Sequence, residues 1–145
     1  MVTDPCDLDR FIVAQDPVFD QVCAELAAGH KESHWMWFIF PQLRKLGSSP
    51  TAQRFGLHSL EEARAYLAHP LLGERLRRCT ELVNRVEVRS AQEIFGYPDY
   101  LKFRSSMTLF ASAASAADSA PFREALAKYY AGEEDRLTRE LLKLD

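Results

Sequence analysis

Helix start and stop signals recur along almost the whole chain and limit its fold more than any other feature. Ser59 and Ser90 each stand three residues before a glutamate, a pattern in which the two side chains cap the first turn of a helix together. Proline is favoured in the first turn of a helix, and glycine commonly ends one. Further starts are Asp7, Asp16-Pro17, Ser49-Pro50, His69-Pro70, Pro98 and Pro121, and the stops include Gly29, Gly56, Gly96 and Gly132. The sequence therefore predicts a compact all-α single domain over residues 1–145, with many helices, short connections and no sheet of three or more strands.

Length, charge and cysteine usage exclude several classes of function. A chain of 145 residues with 47% hydrophobic and 27% charged residues is typical of one soluble globular domain. The net charge of -3 predicts neither nucleic acid nor an anionic membrane as a partner. No apolar run approaches the roughly 18 residues of a membrane span, and the first residues lack the pattern of a signal peptide. Cys6, Cys23 and Cys79 are far apart in the sequence, which favours free thiols and a cytoplasmic location.

Residues 29–42, called the central stretch below, hold the most unusual composition in the chain. Both tryptophans and two of the four histidines lie there, beside an uninterrupted apolar run from Trp35 to Phe40. We predict that this run is a helix ending near Phe40, because Pro41 follows it. On a helix, successive side chains point about 100° apart, so at most one of Trp35 and Trp37 should line a pocket. Apolar bulk with polar groups directly against it is typical of a ligand site.

The two histidines of the central stretch allow a metal site or a proton carrier. His30 and His34 are four residues apart, as two zinc ligands on a helix would be, but Lys31 stands where the metalloprotease motif requires glutamate. No third ligand has diagnostic spacing, so we expect no metal. His34 next to Trp35 is the better candidate for an acid or base, because histidine titrates near neutral pH. The alternative is a histidine that only holds the loop through a backbone hydrogen bond.

A second group of polar residues follows Pro98. On a helix beginning there, Asp99 and Lys102 lie three residues apart. They form either a surface pair or an ion pair in which Asp99 holds the Lys102 ammonium beside the apolar run. Ser105 and Ser106 are poor residues for a helix interior. They indicate either small side chains at a tight helix crossing or hydroxyls that face a polar ligand, and we expect one serine in each role. We expect this helix to meet the central stretch in space.

The chain contains the motifs SHWMWFIFPQ (33–42), SLEEA (59–63), IFG (94–96) and KFRSSMTLF (102–110). Through these motifs it resembles a bacterial family of domains of unknown function. Its members are small all-helical proteins of this size, often labelled "calpastatin", and include a mycobacterial conserved hypothetical protein. The resemblance implies a fold of the family's own type and no established activity, cofactor or catalytic residue. It also implies that arginine replaces His30 in relatives and that the Arg104 position varies. The resemblance extends over essentially the whole chain.

The "calpastatin" label conflicts with the composition. An inhibitor segment that folds only on binding its protease should be polar and poor in aromatic residues. This chain is 11% aromatic and 47% hydrophobic. We therefore draw no functional expectation from the label.

These observations predict a ligand pocket between the central stretch and the Asp99–Thr108 helix. Cations, hydroxyls, an amide and an aromatic platform suit a small anionic ligand that contains a ring, such as a nucleotide or an ADP-ribose derivative. Whether the ligand is processed stays open, with His34 as the acid or base if it is. The predicted binding residues are Lys31, Ser33, Trp35, Trp37, Gln42, Asp99, Lys102, Ser105 and Ser106.

Two other functions are compatible with the same residues. A protein-interaction module would use a tryptophan-rich surface for binding and carry out no catalysis. Alternatively, the motif serves packing alone in a stable fold. A concave pocket beside His34 favours the ligand site, whereas a flat exposed aromatic patch favours the interaction module. The sequence predicts no cofactor and leaves the oligomeric state open.

Overall fold

The computed structural model describes residues 6–143, and its regular structure is helical. An isolated bridge between Leu43 and Leu57 is the only β-type pairing within these residues. The predicted all-α fold is confirmed. The helices are α1 (Asp9–Gln15), α2 (Phe19–Ala27), α3 (Met36–Ile39), α4 (Pro50–Phe55), α5 (Leu60–Ala68), α6 (Pro70–Arg85), α7 (Ala91–Phe95), α8 (Asp99–Ala113), α9 (Ala120–Tyr130) and α10 (Arg136–Leu142), with a 3-10 turn at Arg44–Leu46.

The predicted serine caps are present, one of them in full. At α7 the Glu93 backbone N–H donates to Ser90 Oγ (3.0 Å), and the Ser90 N–H donates to the Glu93 carboxylate (2.8 Å). At α5 the Glu62 N–H donates to Ser59 Oγ (3.1 Å). The Glu62 carboxylate, however, pairs with Arg10 of α1 (3.3 Å). A tertiary ion pair therefore replaces the second half of the local cap.

Two predicted aspartate caps near the N-terminus are wrong. Leu8 precedes α1 without a side-chain cap, and Asp7 has a positive φ of 49°. Asp16 ends α1 instead of starting α2, and Pro17 lies in the turn between the two helices. The reason is again tertiary, because the Asp16 carboxylate lies 2.8 Å from a guanidinium nitrogen of Arg75 on α6.

The core is organised around α8, which packs against α5, α7, α9 and α10. Its residues from 105 to 111 are all buried, as expected for a helix enclosed by others rather than lying on the surface. Phe103 on α8 stacks on Phe95 (ring centroids 4.6 Å apart) and meets Phe40 edge-on (4.9 Å). This aromatic contact joins the central stretch to α8.

No helix among residues 6–143 combines the length and the apolar character needed to cross a membrane.

Candidate functional site

The buried carboxylate of Glu25 on α2 fixes the loop that leads into the central stretch. Glu25 is 3% exposed. It accepts hydrogen bonds from the backbone N–H groups of Glu32 (2.8 Å) and Ser33 (3.0 Å), and from Ser33 Oγ (2.6 Å). The indole Nε1 of Trp35 (2.9 Å) and the Gln21 amide (3.0 Å) complete the set. Ser33 and the Trp35 indole therefore position the loop instead of facing a ligand.

This environment also determines the charge of Glu25. Burial by itself raises the pKa of the carboxyl, but the hydrogen bonds from Ser33 and Glu32 outweigh burial and lower the pKa to about 2. Glu25 is thus ionised at neutral pH and acts as a structural anion. No motif in the sequence singles out Glu25. The available signal was an acidic residue between Val22 and Leu26 on the apolar face of α2.

The central stretch and α8 meet at Asp99, as predicted. Lys31 Nζ lies 2.9 Å from Asp99 Oδ2, and Lys102 Nζ lies 3.3 Å from Asp99 Oδ1. The side chains are only 7% (Lys31), 16% (Asp99) and 21% (Lys102) exposed. The backbone N–H of Lys31 also donates to the carbonyl of Ile94 on α7 (2.8 Å). One carboxylate therefore holds two ammonium groups that lie far apart in the sequence.

Each of these lysines lies close to a tryptophan. Lys102 Nζ is 4.0 Å from the ring centroid of Trp37, and Lys31 Nζ is 5.1 Å from that of Trp35. Trp35 is 1% exposed, whereas Trp37 is half-buried, so only the second indole reaches the surface. Trp35 lies just before α3 and not on it, so helical spacing is not the cause of this difference. We call Lys31, Trp37, Asp99 and Lys102 the cationic site.

The other predicted residues of the central stretch lie in different surroundings. His34 and His30 are both exposed. The backbone carbonyl of Gln42 accepts from the Leu57 N–H (2.9 Å), and the half-buried Gln42 side chain lies beside Gly47. Gln42 thus belongs to the connection between α3 and α4.

Ser105 and Ser106 lie in the interior. Ser105 Oγ donates to the Leu101 carbonyl one turn earlier (3.2 Å). Ser106 is completely buried, and its hydroxyl has no hydrogen-bond partner. Because α8 packs against α5 and α9, these positions favour small side chains at helix crossings over contacts to a surface ligand.

The comparison with known proteins identifies the family. Residues 5–142 match a family described as protein of unknown function, DUF1810. The chain belongs to the DUF1810 family. The crystal structure of the conserved hypothetical protein Rv1873 from Mycobacterium tuberculosis superimposes with a TM-score of 0.94 at 60% identity, covering 98% of this chain and 100% of that one. No curated protein matches the chain. The expected family of unknown function is thereby confirmed, as is the expected similarity to a mycobacterial conserved hypothetical protein.

A groove of about 490 Å³ lies elsewhere on this DUF1810 chain, and none of the predicted binding residues lines it. Its walls come from the 3-10 turn, the start of α5 and α10. They include Leu43, Lys45, His58, Leu60, Leu141 and Leu142. The predicted site is therefore distinct from this groove.

Among residues 6–143 no three His, Cys, Asp or Glu side chains are grouped so that they could hold a metal ion.

In this DUF1810 member, Ser106→Ala should leave the free energy of unfolding unchanged or raise it by up to about 1 kcal/mol. The reason is that the substitution removes a buried hydroxyl that has no partner. Urea denaturation provides the measurement. Ser105→Ala is the matched control and should lose about 0.5–1 kcal/mol, because it removes the bond to the Leu101 carbonyl. A loss above ~1 kcal/mol for Ser106→Ala would show that its hydroxyl is bonded in solution.

Proposed function

We propose that this DUF1810 member binds a small anionic ligand containing a ring, such as a nucleotide or an ADP-ribose derivative, at the cationic site. The observation that carries the proposal is the sharing of the Asp99 carboxylate by Lys31 and Lys102. Two ammonium groups and one carboxylate leave one positive charge uncompensated within the group. Little solvent reaches these side chains, so the excess charge is screened less than on an open surface.

Lys102 is the residue of the cationic site best suited to bind an anionic group. Its ammonium has three donors, and its contact with Asp99 uses one of them. A phosphate oxygen accepting from the others would form a charge-assisted hydrogen bond. Lys31 is less exposed and anchors Asp99 from the opposite oxygen. The two lysines therefore have different roles, one as ligand contact and one as support.

Trp37 would bind the ring. Lys102 Nζ lies over one face of the half-buried indole, 4.0 Å from the ring centroid, so an aromatic ring of the ligand would stack on the other face. An anion on Lys102 and a ring on Trp37 would thus be adjacent, as they are in a nucleotide. His34 is an exposed histidine of the loop that carries Lys31, and we propose it as the proton carrier for any reaction of the bound ligand.

The structural roles of the other predicted residues narrow the proposed contact surface. Ser33 and Trp35 are engaged by Glu25, and Ser105 and Ser106 lie inside the protein. A buried Trp35 also weakens the interaction-module alternative, since only one tryptophan then contributes to the surface.

Thermal denaturation with a matched ligand series tests the proposal. ADP-ribose and AMP should raise the melting temperature more than adenosine, which lacks the anion, or ribose 5-phosphate, which lacks the base. At a ligand concentration 100 times Kd the stabilisation is about 2.7 kcal/mol, or several degrees for a chain of this size. Lys102→Gln should weaken binding about 10- to 100-fold, because a hydrogen bond to a charged group contributes roughly 1.5–3 kcal/mol.

Two histidine variants provide an internal control. His34→Ala should reduce the ligand-induced shift or the turnover of the ligand, whereas His30→Ala should change neither. Both residues are exposed, so both variants should keep the stability of the parent protein. The proposal fails if no member of the series shifts the melting temperature at millimolar concentration, or if Lys102→Gln and Trp37→Leu bind as well as the parent.

A further inference from the structure

Helices α2 and α6 lie side by side and run in the same direction. At the beginning of α2, the guanidinium carbon of Arg75 lies 4.7 Å from the Phe19 ring centroid. Beyond the end of α2, Gly29 lies against Val86, where a Cβ atom on the glycine would be 3.0 Å from Val86 Cγ1. Contacts at both ends therefore fix the register in which the two helices face each other.

This register places Cys23 opposite Cys79. Cys23 is one turn after Phe19, and Cys79 is one turn after Arg75. The two thiols are near enough for each to shift the pKa of the other. Both cysteines are reduced, and they differ in access: Cys23 is half-buried, whereas Cys79 is fully buried. The pair thus has one sulfur that a small molecule can reach and a second one directly behind it.

The surroundings make the two sulfurs chemically different. The hydrogen bond from Cys79 lowers the pKa of Cys23 to about 7, with help from the nearby charges of Arg78 and Arg75, although burial and Asp20 act in the opposite direction. The same hydrogen bond and burial raise the pKa of Cys79. A thiolate is the reactive form of cysteine, so Cys23 is the nucleophile of the pair.

We propose that Cys23 and Cys79 form an oxidation site in which hydrogen peroxide closes a disulfide between α2 and α6. The Cys23 thiolate attacks one peroxide oxygen, the O–O bond breaks, and the departing hydroxide takes a proton to become water, leaving a sulfenic acid on Cys23. The Cys79 sulfur then attacks the Cys23 sulfur, and the S–O bond breaks. The oxygen leaves as water with the proton of Cys79. Two thiols and one peroxide thus give one disulfide and two waters.

Peptide mapping of the full chain after treatment with one equivalent of hydrogen peroxide at pH 7 tests this site. Under non-reducing conditions, mass spectrometry should find a cross-linked peptide pair that contains Cys23 and Cys79. The oxidised protein should melt at least about 5 °C higher than the reduced form, because the disulfide closes a long loop of the unfolded chain. Cys6→Ser is the matched control and should form the same cross-link.

The separate roles of the two cysteines are tested with a sulfenic-acid probe. Cys79→Ser should accumulate sulfenic acid on Cys23 that dimedone traps, and Cys79→Ala should do the same if the serine variant is unstable. Cys23→Ser should give no cross-link and no trapped product at Cys79. Oxidation of the parent chain to sulfinic acid without the 23–79 cross-link, or a disulfide that includes Cys6, would overturn the proposal.

Discussion

Glu25→Ala should lower the free energy of unfolding by about 3–5 kcal/mol, because several hydrogen bonds to one charged carboxylate, each contributing roughly 1.5–3 kcal/mol, are lost together. The substitution leaves the Trp35 indole N–H and the backbone N–H groups of Glu32 and Ser33 without their acceptor. Urea denaturation followed by circular dichroism measures the loss. Glu32→Ala is the control: its exposed side chain should be worth less than about 0.5 kcal/mol. A loss below ~1 kcal/mol for Glu25→Ala would contradict the assigned role.

The Glu25 carboxylate also makes the free energy of unfolding depend on pH. Its pKa is depressed from the ordinary value of 4.5 to about 2, so its contribution is fully present above pH 4.5 and is lost as the pH falls towards 2. This lowering of the pKa corresponds to ~3 kcal/mol of folding stability. Glu25→Ala should lack this part of the pH dependence, and its stability curve should be flatter between these two pH values. Equal acid sensitivity of parent and variant would show that other carboxylates are responsible.

Asp99→Ala should cost about 2–4 kcal/mol, because it leaves two partly buried ammonium groups without a counter-charge. Most of the loss should come from Lys31, whose side chain is 7% exposed. Lys102→Ala should cost less than ~1 kcal/mol, since Lys102 is more exposed and its removal leaves the Lys31–Asp99 pair intact. Denaturant unfolding of the three proteins gives the comparison.

A double variant separates the buried charge from simple loss of packing. Lys31→Met in the Asp99→Ala background should recover part of the stability, because methionine fills a similar space without an ammonium group. If the double variant is no more stable than Asp99→Ala, the cost of Asp99→Ala does not arise from the unpaired Lys31 charge.

The candidate site was predictable where its residues are close in sequence or chemically conspicuous. Asp99 and Lys102 are three residues apart on α8. Their ion pair was predictable because a charged amine beside apolar residues needs an acidic partner. The concentration of aromatic residues marked the central stretch. The sequence did not show which tryptophan is interior, because that depends on Glu25, which accepts the Trp35 indole N–H from another helix.

Contacts between residues distant in the sequence explain the predictions that were wrong. Aspartate often caps the start of a helix, but the carboxylate of Asp16 binds Arg75 on α6 instead. Ser106 has a hydroxyl suited to a ligand, but the packing of α8 encloses it. Nothing in the sequence indicated that Cys23 and Cys79 face each other, since the two cysteines lie far apart and belong to no motif.

The sequence by itself determined the all-α class and most helix boundaries, because capping by Ser90 and Glu93, or a break at His69-Pro70, involves only neighbouring backbone groups. The tertiary structure alone decided which polar side chains are buried, which carboxylate each cation binds and which thiols face each other. These outcomes depend on the register between helices distant in sequence, and local propensity carries no information about that register. For that reason the lysines of the cationic site could be singled out in advance, whereas Glu25, which holds the loop between α2 and the central stretch in place, could not.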